Sequence, residues 1–225
     1  MSSQTNQKQP SLHNAYERVA RAKQHLMTLK RRIASFWRLN PKLAVSFGSA
    51  TTGTKTLTDT PIPPLIEILV GEIVYNLRAA LDYLIYELAI LDSGQVQKRT
   101  QFPIVDKSSD WANNCRQYKV DKLTKRHKSE ILALQPFSGC KWTQTLREIS
   151  NPDKHRHLTI AAAGFHLGVS LTRGQTIKPP PNNAKKSQRS LALRILFDDG
   201  SAIIEELQGL QRHVADVLDS FNPDF

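Results

Sequence analysis

The 225-residue sequence predicts an α+β fold: a helical core of two long helices plus shorter ones, with a small antiparallel sheet and a C-terminal helix beside it. Three observations carry that expectation. Apolar residues recur at helical spacing over Leu12–Phe36 and again over Pro64–Leu91. Beyond residue 158 the period changes to two, in Leu167, Val169 and Leu171 and in Leu191, Leu193, Ile195 and Phe197. Helical spacing then returns in "EELQGLQRHVADVLDSF" through Leu207, Leu210, Val214, Val217, Leu218 and Phe221.

Taken in order, the chain begins with ten mostly polar residues expected to be disordered. In the first helix Leu12, Val19, Met27 and Ile33 alternate with Ala15, Ala22, Leu29 and Phe36, ending before Asn40-Pro41. Its other faces carry Arg18, Arg21, Lys23, Lys30, Arg31 and Arg32. Packing of this stripe inside the chain is the favoured expectation, because the next helix has a wide apolar face to cover; a homodimer through the first helix is the alternative. The Thr-, Ser- and Gly-rich residues 43–60 suit a weak hairpin or loop. "PIPP" opens the second long helix, since proline is tolerated in a first turn. Ile66, Val70, Ile73, Val74, Leu77, Leu81, Leu84, Ile85, Leu88 and Leu91 share its core face. The opposite face holds Glu72, Tyr75, Asn76, Asp82, Tyr83 and Tyr86, with Arg78 at its edge; tyrosines there suit a partner element or ligand rather than bulk water. Shorter helices follow in "DKLTKRHKSEILALQPF" and "KWTQTLREIS". Asp199-Gly200 is expected at a hairpin turn pairing Leu191–Phe197 with Ala202–Ile204. Residues 174–190 read as a flexible basic loop. All of this is one domain, 1–225.

Composition narrows the function classes. Hydrophobic residues make up 40% and charged residues 23%, the balance of a globular chain. No apolar run reaches the ~18–20 residues of a membrane span. The first residues lack the apolar core of a secretory signal, and Cys115 and Cys140 make no disulfide framework, so a cytoplasmic location is expected. The net charge is +11 and unevenly spread. Lys and Arg outnumber Asp and Glu nine to one in residues 1–42 and thirteen to six in 93–158, whereas acids lead seven to one from residue 195. Segregated positive charge attracts phosphate backbones.

"NPDKHRHL" (Asn151–Leu158) concentrates the candidate chemistry. Asn151 as a cap, Pro152 as first helical residue and Asp153 in the first turn would make an ordinary helix start. The run Lys154, His155, Arg156 and His157 goes beyond that need. Such donors suit phosphate or carboxylate binding, and a histidine moves a proton near neutral pH. If the segment is catalytic, His155 is the proton-transfer residue and Asp153 its orienting partner, with Lys154, Arg156 and His157 on a phosphate. The segment stays open between site and scaffold. Cys115, Cys140, His155 and His157 lack the close spacing of a zinc site. There is no Walker loop, G-x-G-x-x-G, G-x-S-x-G or H-E-x-x-H, so neither metal nor cofactor is expected.

"GEIVYNLRAALDYLIYEL" (Gly71–Leu88), "RTQFPI" (Arg99–Ile104), "ILALQPF" (Ile131–Phe137) and "LREISNPDKHRHL" (Leu146–Leu158) resemble, in this order, blocks of an uncharacterised bacterial protein family, over roughly half of the chain with the joining segments. Members of that family often have histidine where this chain has Tyr83, giving Arg-x4-His. That spacing is similar to the Arg-x4–6-His signature of the HEPN superfamily, all-helical domains that include metal-independent ribonucleases. The resemblance implies that Arg78 adds positive charge at a phosphate undergoing attack. Tyr83 departs from the histidine; it can donate a hydrogen bond but is no easy base near neutral pH. The literal match Arg18-x6-His25 lies in the first helix. The expectation from the sequence is therefore a nucleic-acid-associated protein acting on RNA, with Arg78, Tyr83, Asp153 and His155 as candidate catalytic residues. A protein-interaction module or a binder of a small phosphate or carboxylate ligand are the alternatives.

Overall fold

A computed structural model describes residues 9–40, 55–57, 62–155, 160–166, 191–197 and 201–225. Helix α1 spans His13–Leu39 and α2 spans Pro64–Ser93. On α1 the spacing three and four buries Ala15, Val19, Ala22, Leu26, Leu29, Ile33 and Phe36. Leu26 takes the core position, and its neighbour Met27 is half exposed. That stripe is covered within the chain, chiefly by α2 and further by the last helix, α6 (Ile203–Phe221).

α2 is the central helix of the body. Leu77, Leu81, Leu84, Ile85 and Leu88 are fully enclosed, and of the expected core face Leu91 alone is exposed. Each such side chain contributes roughly 1.5–3 kcal/mol through burial. Pro64 starts the helix, where a missing N–H costs nothing. Gly94 ends it at φ 68°, a left-handed conformation that side chains resist, and donates its N–H to the Ile90 carbonyl at 2.7 Å.

α2 also holds down the starts of two other helices. At the start of α1 the Ser11 hydroxyl accepts the His13 N–H at 3.2 Å, and the Glu87 carboxylate, buried on α2, accepts the Ser11 N–H at 3.1 Å. Asp92 likewise accepts the Thr124 N–H at 2.7 Å, at the cap of α4 (Lys125–Ala133). Both carboxylates thus sit at the positive ends of helix dipoles and hold the chain where it enters each first turn. On the far side of α1 the Tyr16 hydroxyl donates to Asp219 of α6 at 2.8 Å. Burial and that carboxylate push its pKa up to about 12.

A connector leads from α2 past Phe102, which is wholly buried, to the short α3 (Trp111–Gln117). The buried Gln135 anchors it, accepting the Val105 N–H at 3.0 Å while donating to Ile131 at 2.9 Å. Helix α5 spans Lys141–His155 and packs on α2; its described buried residues are Thr143, Leu146 and Ser150.

Three expectations need correction. The body is all-α, not α+β: helices build the core. The strands β1 (Lys55–Leu57), β2 (Ile160–His166) and β3 (Leu191–Phe197) form a small antiparallel ribbon in the order β1-β2-β3. Of its described side chains, Ile195 and Phe197 join the core, through the side of β3 next to α6. A ribbon on one helix is an attachment and not a layer. Second, β3 pairs along its length with β2, with Ile160 opposite Phe197, and the expected pairing with Ala202–Ile204 is reduced to its start, where the Phe197 N–H donates to the Ser201 carbonyl at 3.0 Å and Ala202 makes a single bridge. Ile203 already begins α6, because the apolar spacing from Ile203 through Leu207 and Leu210 is helical and that face is buried. Third, Asn151-Pro152 does not open a helix: α5 runs through both and ends at His155. Pro152 removes one N–H bond there, a cost of ~3 kcal/mol in a helix interior, which the buried Thr143–Leu146–Ser150 face offsets. The expected strand residues Leu167, Val169 and Leu171, most of 43–60, residues 1–8 and the loop 174–190 lie outside the described residues.

Candidate functional site

Between the N-terminal half of α1 and the middle of α2 lies a cleft of about 410 Å³, with Thr100 and Ser150 also in its lining. The size suits a single small ligand. Two arginines, Arg18 and Arg78, and three tyrosines, Tyr75, Tyr83 and Tyr86, line it with Asp82.

Arg78 sits at the inner wall, its side chain 12% exposed. Nη2 donates to the Phe102 carbonyl at 3.1 Å and stands 3.9 Å from Asp82 Oδ1, which itself accepts the Phe102 N–H at 2.9 Å. The pair one helical turn apart thereby grips both polar groups of one connector residue and fixes the loop that delivers Thr100. Arg99, just before it, adopts φ 63°, an uncommon conformation for a side-chain-bearing residue. Burial lowers the Arg78 pKa and Asp82 opposes the shift. A second guanidinium nitrogen, Nη1, is buried without a hydrogen-bond partner. A buried donor in that condition costs on the order of 1–3 kcal/mol until an acceptor reaches it.

Arg18 is held differently. Its Nη1 donates to Asn76 Oδ1 at 3.3 Å, and Asn76 is itself buried and fixed by donating to the Glu72 carbonyl at 2.7 Å. The guanidinium carbon lies 5.9 Å from the Tyr75 ring centroid and 5.7 Å from that of Tyr83. At those separations cation–π attraction orients the planar fork between the rings. Tyr75 is 59% exposed, so this end of the cleft opens to solvent.

Of the residues singled out from the sequence, Arg78 and Tyr83 do share one cleft. Asp153, Lys154 and His155 occupy the last turn of α5, directly after the cleft residue Ser150, and their side chains lie outside the described set. Arg156 and His157 lie outside the described residues altogether. Sequence reasoning missed Arg18 as a site residue. Its partners Asn76, Tyr75 and Tyr83 lie 57 to 65 positions away, and no spacing within α1 marks it off from the other arginines. His25, seven residues on, is not part of the cleft and faces Glu72 at 3.1 Å.

A second polar cluster also escaped notice. His127 is buried between Asp92 (Nδ1 to Oδ2, 2.8 Å) and Asp224 (Nε2 to Oδ2, 3.3 Å). Arg126 adds a two-pronged contact to Asp224 at 2.9 and 3.0 Å. Among the described residues no group of three or more acidic, His or Cys side chains is arranged to hold a metal ion. The cluster joins the end of α2, the start of α4 and the C-terminal turn.

Compared with known proteins, the chain matches no protein-family description, no curated protein and no solved structure. Functional inference rests on the cleft itself.

Proposed function

We propose that this protein binds single-stranded RNA, seating one nucleotide in the Arg18–Arg78 cleft. The observation that carries the reading is a cleft that two arginines, Arg18 and Arg78, line together with three tyrosines, Arg78 keeping a buried donor, Nη1, without a hydrogen-bond partner. Guanidinium groups bind phosphate in a forked geometry, and aromatic faces stack bases of any sequence at ~1–3 kcal/mol each. Outside the cleft the exposed Arg21 and Arg32 lie within about 60° of Arg18 around α1, at 100° per residue. They extend the positive strip by about 21 Å, at 1.5 Å per residue. Glu17 is the single acidic residue on that helix. The described lining offers guanidinium groups and tyrosine rings, which hold phosphates and bases, so binding is the activity the arrangement supports. A cytoplasmic location belongs to the same proposal. Both cysteines are free, and among the described residues no helix is long and apolar enough to cross a membrane.

Fluorescence anisotropy with a short labelled oligouridylate tests the proposal. Binding should weaken with salt, with a log–log slope of about −2 to −3 if three or four cations each displace counterions from single-stranded RNA. Absence of binding at low salt would exclude RNA and favour a protein-interaction module instead.

A further inference from the structure

The connector that follows α2 carries two cations with no role in the fold described above. From Gly94 to Val105 the chain holds Lys98 and Arg99 and no acidic residue. Both are exposed, and among the described residues neither has an ionic partner. Elsewhere exposed cations are paired, Arg126 with Glu130 and Asp224, Lys122 with Asp121. The bend that bears Lys98 and Arg99 is fixed on both sides. Before it, the Ser93 hydroxyl accepts the Gln95 N–H at 3.3 Å and the Gln97 side-chain amide at 3.4 Å. After it, Arg78 and Asp82 hold the two backbone groups of Phe102. Arg99 itself stands at φ 63°, a conformation that favours glycine. Backbone of that kind persists where its surroundings impose it, and it concentrates at ligand clamps. The next residue, Thr100, lines the cleft, and consecutive Cα atoms are only ~3.8 Å apart. Arg21 and Arg32 bring cations toward the cleft from α1; Lys98 and Arg99 bring them from the connector.

We infer that Lys98 and Arg99 form a second phosphate subsite beside the cleft. It takes the phosphate of the adjoining nucleotide, so the ligand is an oligonucleotide rather than a free mononucleotide. The inference rests on the cleft being the RNA site. Arg99 supplies a fork that meets two phosphate oxygens at once, and Lys98 adds a point charge. The backbone between Gln97 and Phe102 is already ordered, so binding costs less conformational freedom than at a mobile loop. Arg78 then serves both subsites: it lines the first and, through Phe102, sets the bend that carries the second.

The test compares two probes, uridine monophosphate and the labelled oligouridylate, on the full chain and on Arg99→Gly, Lys98→Gln and Arg18→Gln. The unaltered chain should bind the oligouridylate more tightly than the mononucleotide. Arg99→Gly and Lys98→Gln should each weaken the oligouridylate severalfold at low salt and reduce its salt slope by about 0.7, the effect of losing one phosphate contact on a single strand. Both should leave uridine monophosphate binding unchanged. Arg99→Gly should not lower the melting temperature, because glycine takes φ 63° without strain. Arg18→Gln should weaken both probes. An oligouridylate bound no more tightly than the mononucleotide keeps the cleft and overturns the subsite. So does an oligouridylate affinity that Arg99→Gly and Lys98→Gln leave alone, or an equal loss of both probes in these variants. Binding that ignores Arg18→Gln, or no binding of either probe by the unaltered chain, overturns the RNA cleft and the inference with it.

Discussion

Replacing His127 with alanine lowers the unfolding free energy by about 3 kcal/mol, the upper range for leaving a buried hydrogen-bonded group without its partner. The side chains of His127 and Asp92 are 6% and 5% exposed, so water cannot take over the lost contact. Asp92 would retain only its bond from the Thr124 N–H, and Asp224 its contacts with Arg126. Three elements separate when the bridge goes: the end of α2, the start of α4 and the C-terminal turn at Asn222–Asp224. The imidazole also packs at 5.9 Å on the Phe221 ring, which loosens the last turn of α6. For a chain of this size the melting temperature falls by roughly 10 °C, at ~2–4 °C per kcal/mol. Arg126→Ala is the contrast, because that side chain is 62% exposed. An exposed ion pair is worth ~0–1 kcal/mol. Equal losses for the two variants in a calorimetric melt would mean that the bridge does not hold the C-terminus.

Replacing Arg78 with methionine has two effects of different origin. The Phe102 carbonyl loses its donor, which costs on the order of 1–3 kcal/mol for a buried group left unpaired. The Phe102 N–H keeps its bond to Asp82, so the connector loosens rather than detaches. The cleft also loses its innermost cation and the unpartnered Nη1, and RNA affinity drops by tenfold or more, the range of a charge-assisted contact. Arg78→Lys separates the two, since one ammonium can serve the carbonyl or the phosphate but lacks the fork to serve both. Melting and anisotropy measured on the same preparations distinguish them. A stability loss without an affinity loss would make Arg78 scaffold alone.

The long helices were legible because each carries its burial pattern locally: Ala15 to Phe36 and Ile66 to Leu88 need only the period of the helix. The tyrosine-bearing face of α2 was legible for the same reason, as a surface too aromatic for bulk water. Local rules failed where packing decided the outcome. Asn-Pro is a common helix start, yet α5 passes through Asn151-Pro152 because its inner face is already buried on α2. Asp199-Gly200 suggested a hairpin to Ala202–Ile204, yet Ile203 belongs to the apolar stripe that seats α6 in the core. The α+β expectation came from reading alternation as a layer, when alternation reports a strand and says nothing of what covers it. Arg18 and the Asp92–His127–Asp224 bridge were invisible for a further reason. Each is defined by partners dozens of residues distant, and an isolated arginine or histidine carries no mark of the neighbour it will meet.

The central claim is that the cleft between α1 and α2 seats a nucleotide, and photo-crosslinking locates the nucleotide directly. An oligonucleotide carrying 4-thiouridine is bound to the full chain, irradiated, and the modified residues are mapped by mass spectrometry. The structure predicts adducts on Tyr75, Tyr83 or Tyr86, suppressed when unlabelled oligouridylate competes. Adducts confined to residues outside the cleft, with these three tyrosines unmodified, would contradict it.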